Sequence, residues 1–109
     1  MTTQAPAEVF AALGDPSRLR ILDLLAESPS SASALRPDLS ISRQAVAKHL
    51  RVLEDAGLVR AERAGREVVY QVRPEGVARP ARWLDDVAAG WERRLAAAKQ
   101  AAEQDRSRS

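Results

Sequence analysis

The chain contains no cysteine, which removes disulfides and thiolate metal ligands and fits a reducing compartment. It has one histidine, His49. Zinc takes three or four N, S or O ligands, so neither a regulatory metal nor a cofactor is expected. Aromatic residues make up only 4% and alanine supplies much of the 45% hydrophobic content, so the core must be thin and aliphatic. No apolar run approaches a membrane span and the N-terminus lacks a signal-peptide apolar region, so no membrane partner and a cytoplasmic location are expected. No nucleophile–base pair, Gly-rich phosphate loop or paired-carboxylate motif stands in recognisable context, so an enzyme is not expected either. At 109 residues the chain is of single-domain size.

Charge is present but unevenly placed. The net charge is +2 and the sequence pI about 9.7. Residues 1–41 carry three Arg against five acids; residues 42–73 carry seven Lys or Arg against Glu54, Asp55, Glu62 and Glu67. Positive charge thus gathers in the middle of the chain, as expected for a polyanion partner. Fifteen of the seventeen cations are Arg, a bias that genome base composition can also produce.

The stretch from Ser42 to Val59 reads as a helix over 42–56 with one apolar seam and one basic face. Ser42 is a good N-cap. Val46, Leu50 and Leu53 recur at helical spacing, and Gly57 supplies a left-handed stop on which Leu58 folds back. Arg43, Gln44, Ala47, Lys48 and Arg51 remain outward. Such a face suits a DNA major groove, where Arg reads guanine, Gln reads adenine, and Lys or Arg holds phosphate. The plain alternative is a solvated surface helix.

The flanking segments extend the reading. Val9, Phe10 and Leu13 suggest a short first helix ending at Gly14. Asp15-Pro16 opens a second, with Asp as N-cap and Pro at the first helical position; Leu19, Ile21, Leu22, Leu24 and Leu25 give it a broad apolar face. A third, short helix should start near Ser31 and end or distort near Arg36, because Pro37 cannot continue it. After Gly57 the period becomes alternating: Val59 and Ala61 pair with Val68, Tyr70 and Val72 across Ala64-Gly65 in a two-stranded hairpin, with Arg63 and Arg66 at its tip. Pro74 and Pro80 bracket a connector to a last helix over about 80–103. Residues 1–5 and 104–109 are expected to fray, leaving one domain over 6–103.

On the last helix Trp83, Leu84, Val87, Trp91, Leu95 and Ala98 form one stripe. It exceeds what one side of so small a domain can cover, and exposed Trp and Leu in such a patch mark an association surface. The expected interface is that stripe with Val9, Phe10 and Leu13 of the first helix. Gly90 lies beside Trp91, where it lets another backbone approach.

Helix, helix, helix-turn-helix, hairpin, helix is the order of a winged helix-turn-helix domain, mainly α with a two-stranded β-wing. The sequence also resembles the ArsR/SmtB-type bacterial transcriptional repressors. The resemblance rests on Ala12-Leu13-Gly14-Asp15-Pro16-Ser17-Arg18-Leu19-Arg20-Ile21-Leu22, on Ile41-Ser42-Arg43-Gln44-Ala45-Val46-Ala47-Lys48-His49-Leu50, on Leu53-Glu54-Asp55-Ala56-Gly57-Leu58-Val59, and on Gly65-Arg66 with Tyr70. It covers about residues 8–73, and the Trp-bearing last helix looks like a subgroup without thiolate metal sites. It implies a cytoplasmic homodimer, joined through the first and last helices, that binds a palindromic operator and is released by a signal of unidentified chemistry. His49 stands where the family pattern has a structural histidine. Ala47 replaces a common Ser, Ser40 a usual Gly, and Pro37 interrupts the first helix of the motif.

The candidate DNA-binding set is therefore Ser42, Arg43, Gln44, Ala45, Lys48, His49 and Arg51 on the reading helix, with Arg63 and Arg66 on the 59–72 wing. The main reading is a dimeric, sequence-specific DNA-binding repressor. The alternative is a protein-interaction module that keeps the winged fold and works through the Trp-bearing helix. Basic residues on both reading helix and wing favour the first.

Overall fold

Side-chain caps start three of the helices, and each lies where the sequence places a Ser or Asp. In the computed structural model, which describes residues 6–108, α1 spans Ala7–Leu13 and α2 spans Pro16–Glu27. The Asp15 carboxylate accepts from the backbone N–H of Ser17 at 2.8 Å and of Arg18 at 3.1 Å, satisfying two of the unpaired donors of a first turn. After a two-residue strand β1, Ser30–Ser31, the Ser31 hydroxyl caps α3, Ala32–Leu35. Pro37 does not break the chain. It falls in the first turn of a 3-10 helix, Arg36–Asp38, where a missing N–H costs nothing. The Ser42 hydroxyl caps α4, Arg43–Asp55, accepting from Ala45 N–H at 3.1 Å.

Gly57 ends α4. With φ +77° it sits in the left-handed region; its N–H donates to Glu54 O and that of Leu58 to Leu53 O, both at 2.9 Å. This is the Schellman arrangement, with the hydrophobic Leu58 turned inward and fully buried. Strands β2, Val59–Ala64, and β3, Glu67–Val72, form the wing. Its tip is Gly65-Arg66, one residue beyond the expected Ala64-Gly65; Gly65 has φ +65° at the first central position of the two-residue turn.

The sheet has three strands, in the order β1-β3-β2, where a two-stranded hairpin was expected. Ser30 and Ser31 pair with Tyr70 and Val69. The backbone turns extended at Ser28, with φ −164° and ψ 137°, so the break after α2 runs straight into a ladder. This covers one edge of β3 and ties the wing to the helices.

The core is aliphatic, as the composition demands. Ile21 and Leu25 of α2, Leu35, the seam Val46, Leu50 and Leu53 of α4, and Leu58 and Val59 are buried together with Val9 and Ala12 of α1. Leu19 departs from the expected apolar face of α2 and is exposed, because Ile21 and Leu25 already fill the inward side of that helix.

The last helix, α5, runs Pro74–Arg108 rather than from about 80 to 103. Pro74 opens it at a position that needs no N–H, and the Arg73 carbonyl accepts from Gly76 and Val77. The expected connector is its first two turns. Pro80 therefore lies inside a helix, with its ring buried; packing there compensates the lost backbone bond. Residues 104–108, expected to fray, are helical; residues 1–5 and 109 lie outside the described residues. Thirty-five residues make a rod about 52 Å long. The radius of gyration is accordingly 20.4 Å, against about 13 Å for a compact domain of this size.

Candidate nucleic-acid interface

The exposed face of α4 carries Arg43, Gln44, Ala47, Lys48 and Arg51, opposite the buried seam. Ser42 is exposed at its start, and Ala45 is half-buried. Arg43, Gln44, Lys48 and Arg51 make no side-chain hydrogen bond or ion pair with other described residues. The guanidinium and ammonium groups are free for an anionic ligand, and the Gln44 amide is free to read a base edge.

The wing sorts its cations by face. Pairing Val59↔Val72, Ala61↔Tyr70 and Arg63↔Val68 puts Arg63 on the side of the sheet that packs on the helices, beyond the reach of the core. Arg60 lies on the other face, opposite Gln71. With the Gln71 amide oriented to present its oxygen, it accepts from Arg60 Nε at 2.7 Å and Nη2 at 3.0 Å. Arg73 is held by Glu75, at 3.0 Å. Arg63 and Arg66, like the cations of α4, have no such partner among the described residues. The expected DNA-binding residues thus occupy one helix face and one hairpin end, with the exception of half-buried Ala45 and, four residues further on, of His49. Its ring is half-buried and lies 3.3 Å from Arg18.

Arg18 and Arg73 are residues that the sequence reading passed over. Arg18 Nε donates to the Ala12 carbonyl at 2.6 Å, and its Nη1 lies 3.9 Å from the Asp15 carboxylate. Donation from the Arg18 backbone N–H, more than any other influence, holds the Asp15 carboxyl below its ordinary 3.8. Glu75 is likewise lowered, by its own backbone N–H and by Arg73.

The expected association surface divides. Val9, at 4% exposure, belongs to the core of its own protomer. Phe10 and Trp83 meet edge to face, 5.4 Å between centroids, joining α1 to α5. Leu84, Trp91 and Leu95 stand 51%, 57% and 64% exposed, with the Arg94 guanidinium 5.9 Å from the Trp91 ring. Beyond residue 90 every described residue of α5 is exposed.

Among the described residues no group of three or more His, Cys, Asp or Glu is placed to hold a metal ion, and no helix is long and apolar enough to cross a membrane.

A capped reading helix preceded by a turn and a short helix, followed by a β-wing and a long closing helix, defines a winged helix-turn-helix protein. Residues 13–62 match a family model described as a helix-turn-helix domain. The chain is 42% identical over 77 residues to the HTH-type transcriptional regulator Rv2034 of Mycobacterium tuberculosis, covering 71% of this chain and 72% of that one. Among solved structures it is similar to an ArsR-like transcriptional regulator from Rhodococcus sp. RHA1, at 46% identity and TM-score 0.80, covering 88% and 91% of the two chains. It is also similar to a homodimeric winged helix-turn-helix DNA-binding domain of Mycobacterium bovis, a possible ArsR-family regulator, at 31% identity and TM-score 0.64, covering 82% and 91%. The chain belongs to the ArsR/SmtB family of helix-turn-helix transcriptional regulators, a family of regulators and not of enzymes.

Proposed function

We propose that the chain is a homodimeric, sequence-specific DNA-binding repressor of the cytoplasm, without catalytic activity. The observation that carries this reading is the row of polar and cationic side chains on α4 and the wing that have no partner among the described residues. Gln44 and Arg43 read base edges in the major groove; Lys48, Arg51, Arg63 and Arg66 hold phosphates. Ser42 and Ala45 sit at the end of α4 nearest the groove floor, and the Ser42 cap holds the helix start in place.

Dimerisation is supported by α5. Its outer half has no core of its own, yet carries Trp91 and Leu95 in line with Trp83, Leu84 and Val87; Phe10 and Leu13 adjoin the stripe from α1. A second copy related by a two-fold axis covers these residues and sets two reading helices on half-sites about 34 Å apart.

The experiment is selection of duplexes from a random-sequence pool, followed by anisotropy titration of the selected and a scrambled duplex. The reading expects the selected duplex to bind at least about a thousandfold tighter than the scrambled one. Equal binding would leave only a non-specific polyanion binder. No binding of either, with protein ligands captured through α5 instead, would favour an interaction module.

A further inference from the structure

Three helices meet at the guanidinium of Arg18. Nε and Nη2 donate to the Ala12 and Ala11 carbonyls, at 2.6 Å and 3.3 Å, at the C-terminal end of α1. The Ala12 carbonyl takes no backbone donor among the described residues, while that of Ala11 already accepts from Gly14 N–H at 3.2 Å; both lie at the negative pole of that helix, so a cation belongs there. Nη1 faces the carboxylate that caps α2 and lies 3.3 Å from His49 Nδ1 on α4. The Arg18 side chain is 18% exposed. Guanidinium only donates, so Nδ1 must be the acceptor and the neutral ring carries its proton on Nε2. A planar fork can satisfy this many acceptors in fixed directions; a lysine ammonium cannot.

The apolar seam of α4 determines which side faces inward, but apolar packing is non-directional. A hydrogen bond to the ring of His49, on the turn that also bears Lys48 and Arg51, adds the direction. Through α1 and the Phe10–Trp83 contact, the same guanidinium connects the reading helix to the helix that carries the second protomer.

We propose that Arg18 is a positioning residue for DNA recognition: it fixes the setting of α4 through His49, whose ring serves this clamp instead of contacting DNA. The proposal rests on the DNA-binding reading above. The probe is a duplex selected from a random pool by the wild-type chain, and each variant is first shown folded by circular dichroism at the temperature of the titration. His49→Leu removes the acceptor, whereas His49→Asn keeps an amide oxygen close to the position of Nδ1. Arg18→Met keeps the aliphatic stem and removes every donor.

His49→Leu and Arg18→Met are each expected to weaken binding about tenfold or more, the pair together no further than either alone, and His49→Asn to stay within about threefold of wild type. Wild-type affinity in His49→Leu would overturn the proposal. So would a His49→Asn variant as weak as His49→Leu, or a double variant whose loss is the product of the single losses. Should Arg18→Met fail to fold, the Leu and Asn variants decide alone. Because His49 is the sole histidine, its ring nitrogens give one assignable pair of 15N resonances. In Arg18→Lys the Nδ1 resonance should move, and an unmoved resonance would show that the contact does not exist in solution. Failure of the wild-type chain to select any duplex would overturn the DNA-binding reading itself, which is distinct from wild type and variants binding alike.

Discussion

Gly76 in the first turn of α5 offers a test in which two effects of opposite sign compete. Replacing glycine by alanine inside a helix ordinarily stabilises by about 1 kcal/mol. At Gly76 a Cβ would overlap the Gly57 carbonyl oxygen and come within 2.8 Å of its carbon and 3.4 Å of the Leu58 Cα. All three are backbone atoms of the α4 stop, which cannot rotate aside. Gly57 holds a left-handed φ, and the Leu58 carbonyl accepts from Arg73 N–H at 2.9 Å. Overpacking costs about 1–3 kcal/mol, and a backbone-on-backbone clash belongs at the upper end. Less the propensity gain, Gly76→Ala should destabilise by ~2 kcal/mol. At the size of this chain that is a melting point lower by about 10 °C. Thermal and urea unfolding at matched protein concentration measure it, since a dimer's stability depends on concentration. A melting point equal to or above wild type would refute the claim that the two backbones touch.

The remaining predictions concern the interface, the caps and the wing. Trp91→Glu should give monomers by sedimentation at micromolar concentration; an intact dimer would remove the α5 stripe from the interface. Ser42→Ala should cost about 1 kcal/mol in urea unfolding by removing the α4 cap, and an unchanged midpoint would contradict the cap. Asp15 has its carboxyl lowered in the fold, so its contribution is present above the unfolded value and disappears as pH falls through the folded one. The melting-point gap between wild type and Asp15→Asn should therefore hold steady above about pH 5 and close below about pH 4; a gap constant down to pH 3 would sink this assignment. Arg66→Ala should weaken selected and scrambled DNA alike, whereas Gln44→Ala should cost about 1–3 kcal/mol at one base position only.

The α4 unit was legible because its signals are local. Ser42, the seam Val46, Leu50 and Leu53, and Gly57 with Leu58 each act within two turns, and the structure uses all of them. Elements set by tertiary contact were not. Ser30–Ser31 is too short to show a period and exists as a strand only because β3 lies beside it. Pro80 argues against a helix by local rules, and only the packing that buries its ring outweighs them. Val9 and Leu19 both lie on apolar faces, and their opposite fates depend on which residues pack beside them in the fold. For the site, charge and spacing pointed to Arg43, Lys48, Arg51, Arg63 and Arg66. Arg18 was passed over because its partners are backbone carbonyls and a histidine thirty-one positions away, none of which leaves a mark in composition or periodicity.

The central claim is that a dimer neutralises DNA phosphates with side chains that have no partner among the described residues. Four such residues per protomer, Lys48, Arg51, Arg63 and Arg66, make about eight contacts and a slope of log affinity on log salt of about −7. Titration of a selected duplex between about 50 and 200 mM salt should then show affinity falling on the order of 10⁴-fold. Alanine at Arg63 and Arg66 together should bring the slope to about −4, from the loss of about four contacts in the dimer. A wild-type slope between about 0 and −1 would contradict the account.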